Sequence, residues 1–374
     1  MEILAIKSKD RFAKSIHQKM YEYDLWGKCS FLRYNFGFGI LKNLLFHPIL
    51  SLRILKIWSI KRGIFLIRNL DLLLSYSNYD VIHAHYGHVA ALACDLKSIG
   101  LYRNVRIVCS FHGEDVSHNL PNTHAKKYYN IGRLADVVTV NSIYTYNCLL
   151  KSVGETWHNI KIVPVPVDSN YFKPSSILKK QREFFKIVFC GRLIEWKAPR
   201  LAIQIVLELI ELNYPVKLDI IGDGPEYQAC SALISKNGLD DSVKLLGALS
   251  QEEILINFDE ADVFLFPSIR ESTTLKTEAQ GLVLQEAQAM RLPVVISDVG
   301  GMKYGMKDGI TGIVVEEHNV AGFVFKLREL IENPSLIKSM GDAAREYVAN
   351  NFDVEVVGKK MLELYGFNNI GTHA

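Results

Sequence analysis

Eleven short apolar runs, most of them β-branched and lacking polar alternation, limit what this chain can fold into. They fall at 2–6, 81–84, 105–110, 137–140 and 161–163, then at 186–190, 217–221, 243–246, 263–266, 293–296 and 312–315. A strand with one wet face alternates apolar and polar residues. These runs do not, so they read as strands buried on both faces, as in parallel sheets covered by helices. Segments of helical period lie between them. Pro199 stands where a first-turn proline belongs, ahead of Leu201, Ile205, Leu209 and Leu212. Ser250 reads as the N-cap of a helix opened by Gln251 and Glu252. Repeated βα alternation over 374 residues argues for two doubly wound, Rossmann-like α/β domains. The polar segment 168–185, with Pro174, marks the break, which gives expected domains at 1–170 and 171–353. Two such domains are expected to face each other across a cleft at the C-terminal ends of their sheets.

Six scattered cysteines (29, 94, 109, 148, 190 and 230) show no C-x-x-C spacing and fit a reducing compartment. With no leader pattern and no run of about 18 uncharged apolar residues, a cytoplasmic protein is expected. The net charge of +3 hides an asymmetry: residues 1–174 carry +10 and the remainder −7. Residues 36–70 are rich in Leu and Ile and are interrupted by Lys42, Arg53, Lys56, Lys61, Arg62 and Arg68. That reads either as a basic amphipathic surface for the inner face of an anionic membrane or as core-facing helix with solvated cations. No nucleic-acid partner is expected.

Two constellations in the second half carry chemistry. A buried strand ending in Pro267-Ser268 leads through a polar loop to Glu278. Gly281 follows, and then a helix that carries Glu286. The amides around Gln280, Gly281 and Leu282 fall at the positive end of that helix and suit an anion. Read alone, the two glutamates are equally what a solvated helix start looks like. Upstream, the strand ending at Cys190 and Gly191 is followed by Arg192 and Lys197 before the Pro199 helix start. Two cations there can neutralise a departing diphosphate without a metal. No Asp-x-Asp occurs in the chain. The glycine-rich turn in IIGDGPEYQ lacks the full dinucleotide fingerprint, which argues against a nicotinamide enzyme.

In the first half, His112 follows a buried strand and reads equally as a histidine pointing into the cleft or as a loop histidine beside the turn glycine Gly113. His83 and His85 share one face of another strand, with His88 just beyond. No acidic or cysteine partner near them has ligand spacing, so no metal is expected and His85 reads as an acceptor-side residue.

Together, DVIHAHYG, SFHGED, ADVVTVNS, KIVPVPVDSNYF, the GRL…K loop, IIGDGP, VKLLGALS and the glutamate pair resemble, in order, the family 4 glycosyltransferases. These are retaining enzymes of the GT-B fold, and the bacterial exopolysaccharide branch typified by colanic acid glycosyltransferases is the most similar. The resemblance implies sugar transfer from a UDP- or GDP-sugar to a glycan or lipid-linked acceptor, in exopolysaccharide, capsule or lipopolysaccharide synthesis. It implies no cofactor. It gives Arg192 and Lys197 to the diphosphate, Glu286 to the ribose and Glu278 to the transferred sugar. The amides at Gly281 and Leu282 would face sugar and phosphate, with Gln280 beside them on the donor side, and Gly247 and its neighbours would line the base pocket. His112 would sit near the reacting carbon, with His85 and Gly87 on the acceptor side. The C-terminal helix, 354–374, is expected to return to the first domain.

Three departures stand out. The first strand is followed by SKDRFAKS, with no glycine-rich loop, and MEILAI matches the family's second strand, as if the chain began late. RESTTLK lengthens the loop before Glu278, and Tyr304 stands where a glutamate is frequent. The other readings are a GT-B epimerase or phosphorylase, and a non-catalytic subunit lacking the glycine loop.

Overall fold

The computed structural model describes residues 3–6, 36–116, 124–154, 157, 159–175 and 182–367. The glycine-free segment 7–14, Cys29 and the last residues of the expected C-terminal helix lie outside them. All eleven apolar runs form strands. The chain divides into two compact units, one of residues 1–141, 145–162 and 362–374, the other of residues 142–144 and 163–361. The division at 162/163 thus falls ahead of the polar segment where the sequence places it.

The first unit holds a five-stranded sheet in the order β1 (Ile3–Ile6), β2 (Val81–His85), β3 (Arg106–Phe111), β4 (Val137–Val140) and β5 (Ile160–Ile162). Strands β2 to β5 are parallel. β1 corrects the all-parallel expectation: it pairs antiparallel with β2, Ile3 opposite Ala84. An apolar run encodes burial but not direction, and an antiparallel edge strand on a parallel sheet is common. Helices α1 (Phe36–Phe46), α2 (Pro48–Ile57), α3 (Ile60–Arg68) and α4 (Leu70–Ser75) precede β2. The strands that follow are linked by α5 (Gly87–Ser98), α6 (Tyr129–Leu134) and α7 (Ile143–Val153). β3 and β4 bury Ile107, Val108, Phe111, Val137 and Val140 almost completely, as two-sided strands must.

The second unit holds a six-stranded parallel sheet. β6 (Phe185–Cys190) lies inside it, with β7 (Val216–Ile221) and β8 (Val243–Gly247) to one side. β9 (Val263–Phe266), β10 (Val294–Ser297) and β11 (Gly312–Val315) lie to the other. The chain winds outward from β6, then crosses back to β9, which makes the β6/β9 boundary the topological switch point. Ile187 stands opposite Val263 there, and Val188 opposite Phe264. Phe189 and Phe266 stack at 5.2 Å in the core beneath.

The helix starts follow their signals. α8 (Pro199–Glu211) has Pro199 in its first turn, and α9 (Tyr227–Lys236) follows β7. Ser250 caps α10 (Gln251–Glu260) in a capping box with Glu253, worth about 1 kcal/mol. α11 (Leu282–Ala289) follows β9. α12 (Val320–Ile331), α13 (Pro334–Asn351) and α14 (Val354–Leu364) close the chain. The division between units passes within α14, after Met361. Beyond it, Arg106 Nε donates to the Leu364 carbonyl at 2.8 Å, inside the first unit.

Candidate functional site

Both constellations of the second unit come from the two strands at its switch point, where ligands bind in open α/β sheets. After β6, Gly191 has Lys197 folded over it, and a Cβ at that position would lie 3.2 Å from both Lys197 Cδ and Phe266 Cε2. The Lys197 ammonium lies 5.2 Å from the Phe266 ring centre. It then pairs with the Glu278 carboxylate at 2.9 Å. Glu278 arrives from the loop after β9, so sheet topology brings together a lysine and a glutamate far apart in sequence.

Glu286 lies on α11, partly buried. Burial pushes its carboxyl up to about 7. Cys190, at the end of β6, shares this environment: burial first, then the Glu286 charge, push its thiol up to about 12, against the opposing pull of Lys197. Gly281 is the N-cap of α11 with φ of 75°, a left-handed conformation that favours glycine. Gly281 has no side chain to cap this helix; the Leu284 amide donates to the Gly281 carbonyl at 2.8 Å, and Leu282 at the helix start is exposed. Gln280 differs from its neighbours. Its side chain is buried and bridges the Val165 backbone, donating to the carbonyl and accepting from the amide, both at 2.8 Å. Arg192 is exposed, its guanidinium 5.8 Å from the Trp196 ring centre. Gly247 ends β8 with φ of 70°, and its carbonyl accepts from the Gly222 amide at 2.7 Å.

Two glycine turns press the loops into place, and sequence reasoning gave them no such role. A Cβ on Gly222 would lie 1.9 Å from the Gly191 carbonyl oxygen, and one on Gly224 2.4 Å from that of Leu193. The bare backbone instead lets Gly191 N–H reach the Ile221 carbonyl and Leu193 N–H that of Asp223, both at 2.9 Å. The IIGDGP turn therefore holds the loop that carries Arg192. Gly300 and Gly301 do the same for Glu278. A Cβ on Gly301 would fall 1.8 Å from the Ala279 carbonyl oxygen, and Gly301 N–H donates to the Glu278 carbonyl at 2.8 Å.

In the first unit, both ring nitrogens of His83 are engaged within the protein. Its Nδ1 meets the Tyr365 hydroxyl at 2.7 Å and its Nε2 meets Ser110 Oγ at 2.7 Å, with Thr139 Oγ1 2.5 Å beyond. Burial keeps it neutral, its pKa well below the usual histidine value. His85 and His112 stack with ring centres 5.2 Å apart, their facing nitrogens 3.0 Å apart. Burial pulls the His112 pKa down to about 4. Asp115 fixes both loops: its carboxylate accepts from the amides of Gly87 (2.6 Å), His112 (3.0 Å) and Gly113 (3.1 Å). Gly87 starts α5 so close to Phe111 and Tyr128 that a Cβ would lie 2.4 Å and 2.6 Å from their rings. Asp115 lies in the SFHGED segment, but sequence reasoning gave it no role, and only the fold shows what it holds.

The five cysteines among the described residues are buried free thiols. Among these residues no helix is long and apolar enough to cross a membrane.

Comparison with known proteins matches both halves. Residues 31–171 match glycosyltransferase family 4, and residues 173–347 match glycosyl transferases group 1. Over 266 residues the chain is 29% identical to a GDP-mannose-dependent alpha-(1-6)-phosphatidylinositol monomannoside mannosyltransferase of Mycolicibacterium smegmatis, covering 69% of each. It is 28% identical to a Salmonella typhimurium protein described as a colanic acid biosynthesis glycosyltransferase, covering 76% of this chain and 70% of that one. Its fold matches Anabaena HepE in complex with UDP, with a TM-score of 0.69 at 19% identity over 80% of this chain and 82% of that one. The two family matches follow one another in the order of the two sheets, and the chain belongs to the family 4 glycosyltransferases of the GT-B fold.

Proposed function

We propose that the chain transfers a sugar, with retention, from a nucleoside diphosphate sugar to a glycan or lipid-linked acceptor in the synthesis of a bacterial surface polysaccharide. The Lys197–Glu278 pair at the switch point, its glutamate just ahead in sequence of the helix that carries Glu286, carries this reading. Arg192, Lys197 and the first amides of α11 receive the diphosphate, Glu286 the ribose hydroxyls, and Glu278 the transferred sugar. Gly247 borders the base, and Gln280 acts through Val165 to fix the loop. The sugar carbon–oxygen bond to phosphate breaks as the acceptor hydroxyl attacks from the same face. The hydroxyl proton passes to the leaving phosphate oxygen, and no metal or cofactor takes part. Neutral His112, with His85 and the Gly87 turn, exchanges hydrogen bonds with sugar and acceptor hydroxyls. The GDP-mannose dependence of one relative and the UDP bound to HepE support this donor class.

The protein works in the cytoplasm, peripherally on the anionic inner face of the membrane. Residues 36–70 contain six Lys or Arg and no Asp or Glu. Leu41, Leu45, Phe46, Ile49 and Leu52 of α1 and α2 are 58–72% exposed. An anionic bilayer complements both properties.

The test is a screen of sugar nucleotides for slow release of nucleoside diphosphate by the purified protein. One donor should be hydrolysed without acceptor by the wild type and not by Glu278→Gln. Equal release by both proteins contradicts the assignment.

A further inference from the structure

The loop between β9 and Glu278 is longer than a strand-to-helix turn requires, and it is docked. Ile269 N–H donates to the Trp196 carbonyl at 2.8 Å. Glu195 accepts from the Ser272 amide at 3.0 Å and from its hydroxyl at 2.7 Å. Further on, the loop closes on itself, Glu271 N–H to the Lys276 carbonyl at 2.9 Å and Leu275 N–H to the Glu271 carbonyl at 3.0 Å. The insertion therefore sits on the Glu195–Lys197 turn, the same turn that delivers Lys197 to Glu278.

Between them the Trp196 indole holds two cations. The Arg192 guanidinium lies 5.8 Å from its ring centre and the Lys276 ammonium 5.7 Å. Among the described residues neither side chain makes an ion pair or hydrogen bond, whereas Lys197 next door is paired. The ring quadrupole attracts both cations, but two like charges on one indole repel each other. Among the described residues no carboxylate pairs with either cation, which leaves the pair suited to an anion.

We infer that Lys276 is a third cation of the donor site, and that Arg192, Trp196 and Lys276 together take an anionic group of the donor. The inference rests on the donor reading above. Two groups have this chemistry: the diphosphate, and the carboxylate of a transferred uronic acid.

Calorimetry at low and high salt, with UDP, GDP, UDP-glucose, GDP-mannose and UDP-glucuronate, tests it on the full chain. Lys276→Gln should weaken binding about three- to tenfold and flatten its salt dependence, and Lys276→Arg should restore both. A loss shared by all ligands identifies the diphosphate as the anion; a loss confined to UDP-glucuronate identifies the sugar carboxylate. Ser272→Ala, which loosens the loop from Glu195 and removes no cation, should weaken the same ligands by a smaller factor. If Lys276→Gln binds every ligand within about twofold of wild type at both salts while Arg192→Ala is weakened, the inference falls and the donor reading stands. A wild-type protein that binds none of them removes both.

Discussion

Lys197 and Glu278 are ion-paired at 2.9 Å, with side chains only 14% and 19% exposed. The lysine proposed for the leaving diphosphate is thus neutralised by the carboxylate proposed for the sugar. Removing the carboxylate frees a cation and deletes a like charge from the path of the phosphates. Glu278→Gln should bind a nucleoside diphosphate at least as tightly as wild type while losing about 100-fold or more in transfer. Lys197→Met should weaken nucleotide binding by about 2 kcal/mol or more. Calorimetry beside a transfer assay separates the two effects, and a Glu278→Gln that loses nucleotide affinity contradicts the pairing argument.

The pH dependence follows from Glu286. Burial raises its carboxyl from an ordinary 4.5 to about 7, so the folded chain holds this proton more tightly than the unfolded one. Its contribution to stability is complete below the unfolded value and is lost as pH rises through about 7, by at most about 1.4 kcal/mol per pH unit. Ribose hydroxyls are best accepted by the carboxylate. Donor affinity should therefore fall as pH drops below about 7, up to about tenfold per unit, and Glu286→Gln should flatten this profile. Affinities measured across that range check the sign.

Gly222→Ala should destabilise the second unit by about 2–3 kcal/mol and weaken nucleotide binding, because its Cβ would collide with the Gly191 carbonyl at a φ of 133°. Gly358→Ala on α14 is the control: its Cβ meets nothing within 4 Å, and it should stabilise by up to about 1 kcal/mol. Thermal unfolding of both variants makes the comparison.

The exposed face of α1 and α2 should hold the protein on vesicles containing anionic lipid. Binding should weaken at high salt, and a Leu45→Asp, Ile49→Asp double variant should abolish it. Co-sedimentation that is equal with neutral and anionic vesicles, or unchanged in the variant, contradicts the membrane reading.

Strand positions were legible because burial on both faces leaves an unbroken apolar run, as 263–266 shows. The direction of β1 was not, since such a run has no polarity. In the proposed donor site, residue types showed at Arg192, Glu278 and Glu286, each near a strand end or helix start. The Lys197–Glu278 pairing did not, because it depends on β6 and β9 being neighbours. The IIGDGP turn appeared as a weak cofactor signal. Its glycines are there for a close backbone approach to Gly191 and Leu193, which only three dimensions reveal. Trp196 and Lys276 carried no recognisable motif, and the docking of the insertion gives them their place.

The most direct measurement is the unfolding temperature of the second unit with UDP, GDP or ADP. A ligand at about 100 times its Kd adds about 2.7 kcal/mol, a shift of several degrees for a unit this size. At least one nucleotide should produce that shift in the wild type, and Arg192→Ala and Lys197→Met should each reduce it. No shift with any of the three, or a shift that survives both substitutions intact, would contradict a diphosphate held by these cations.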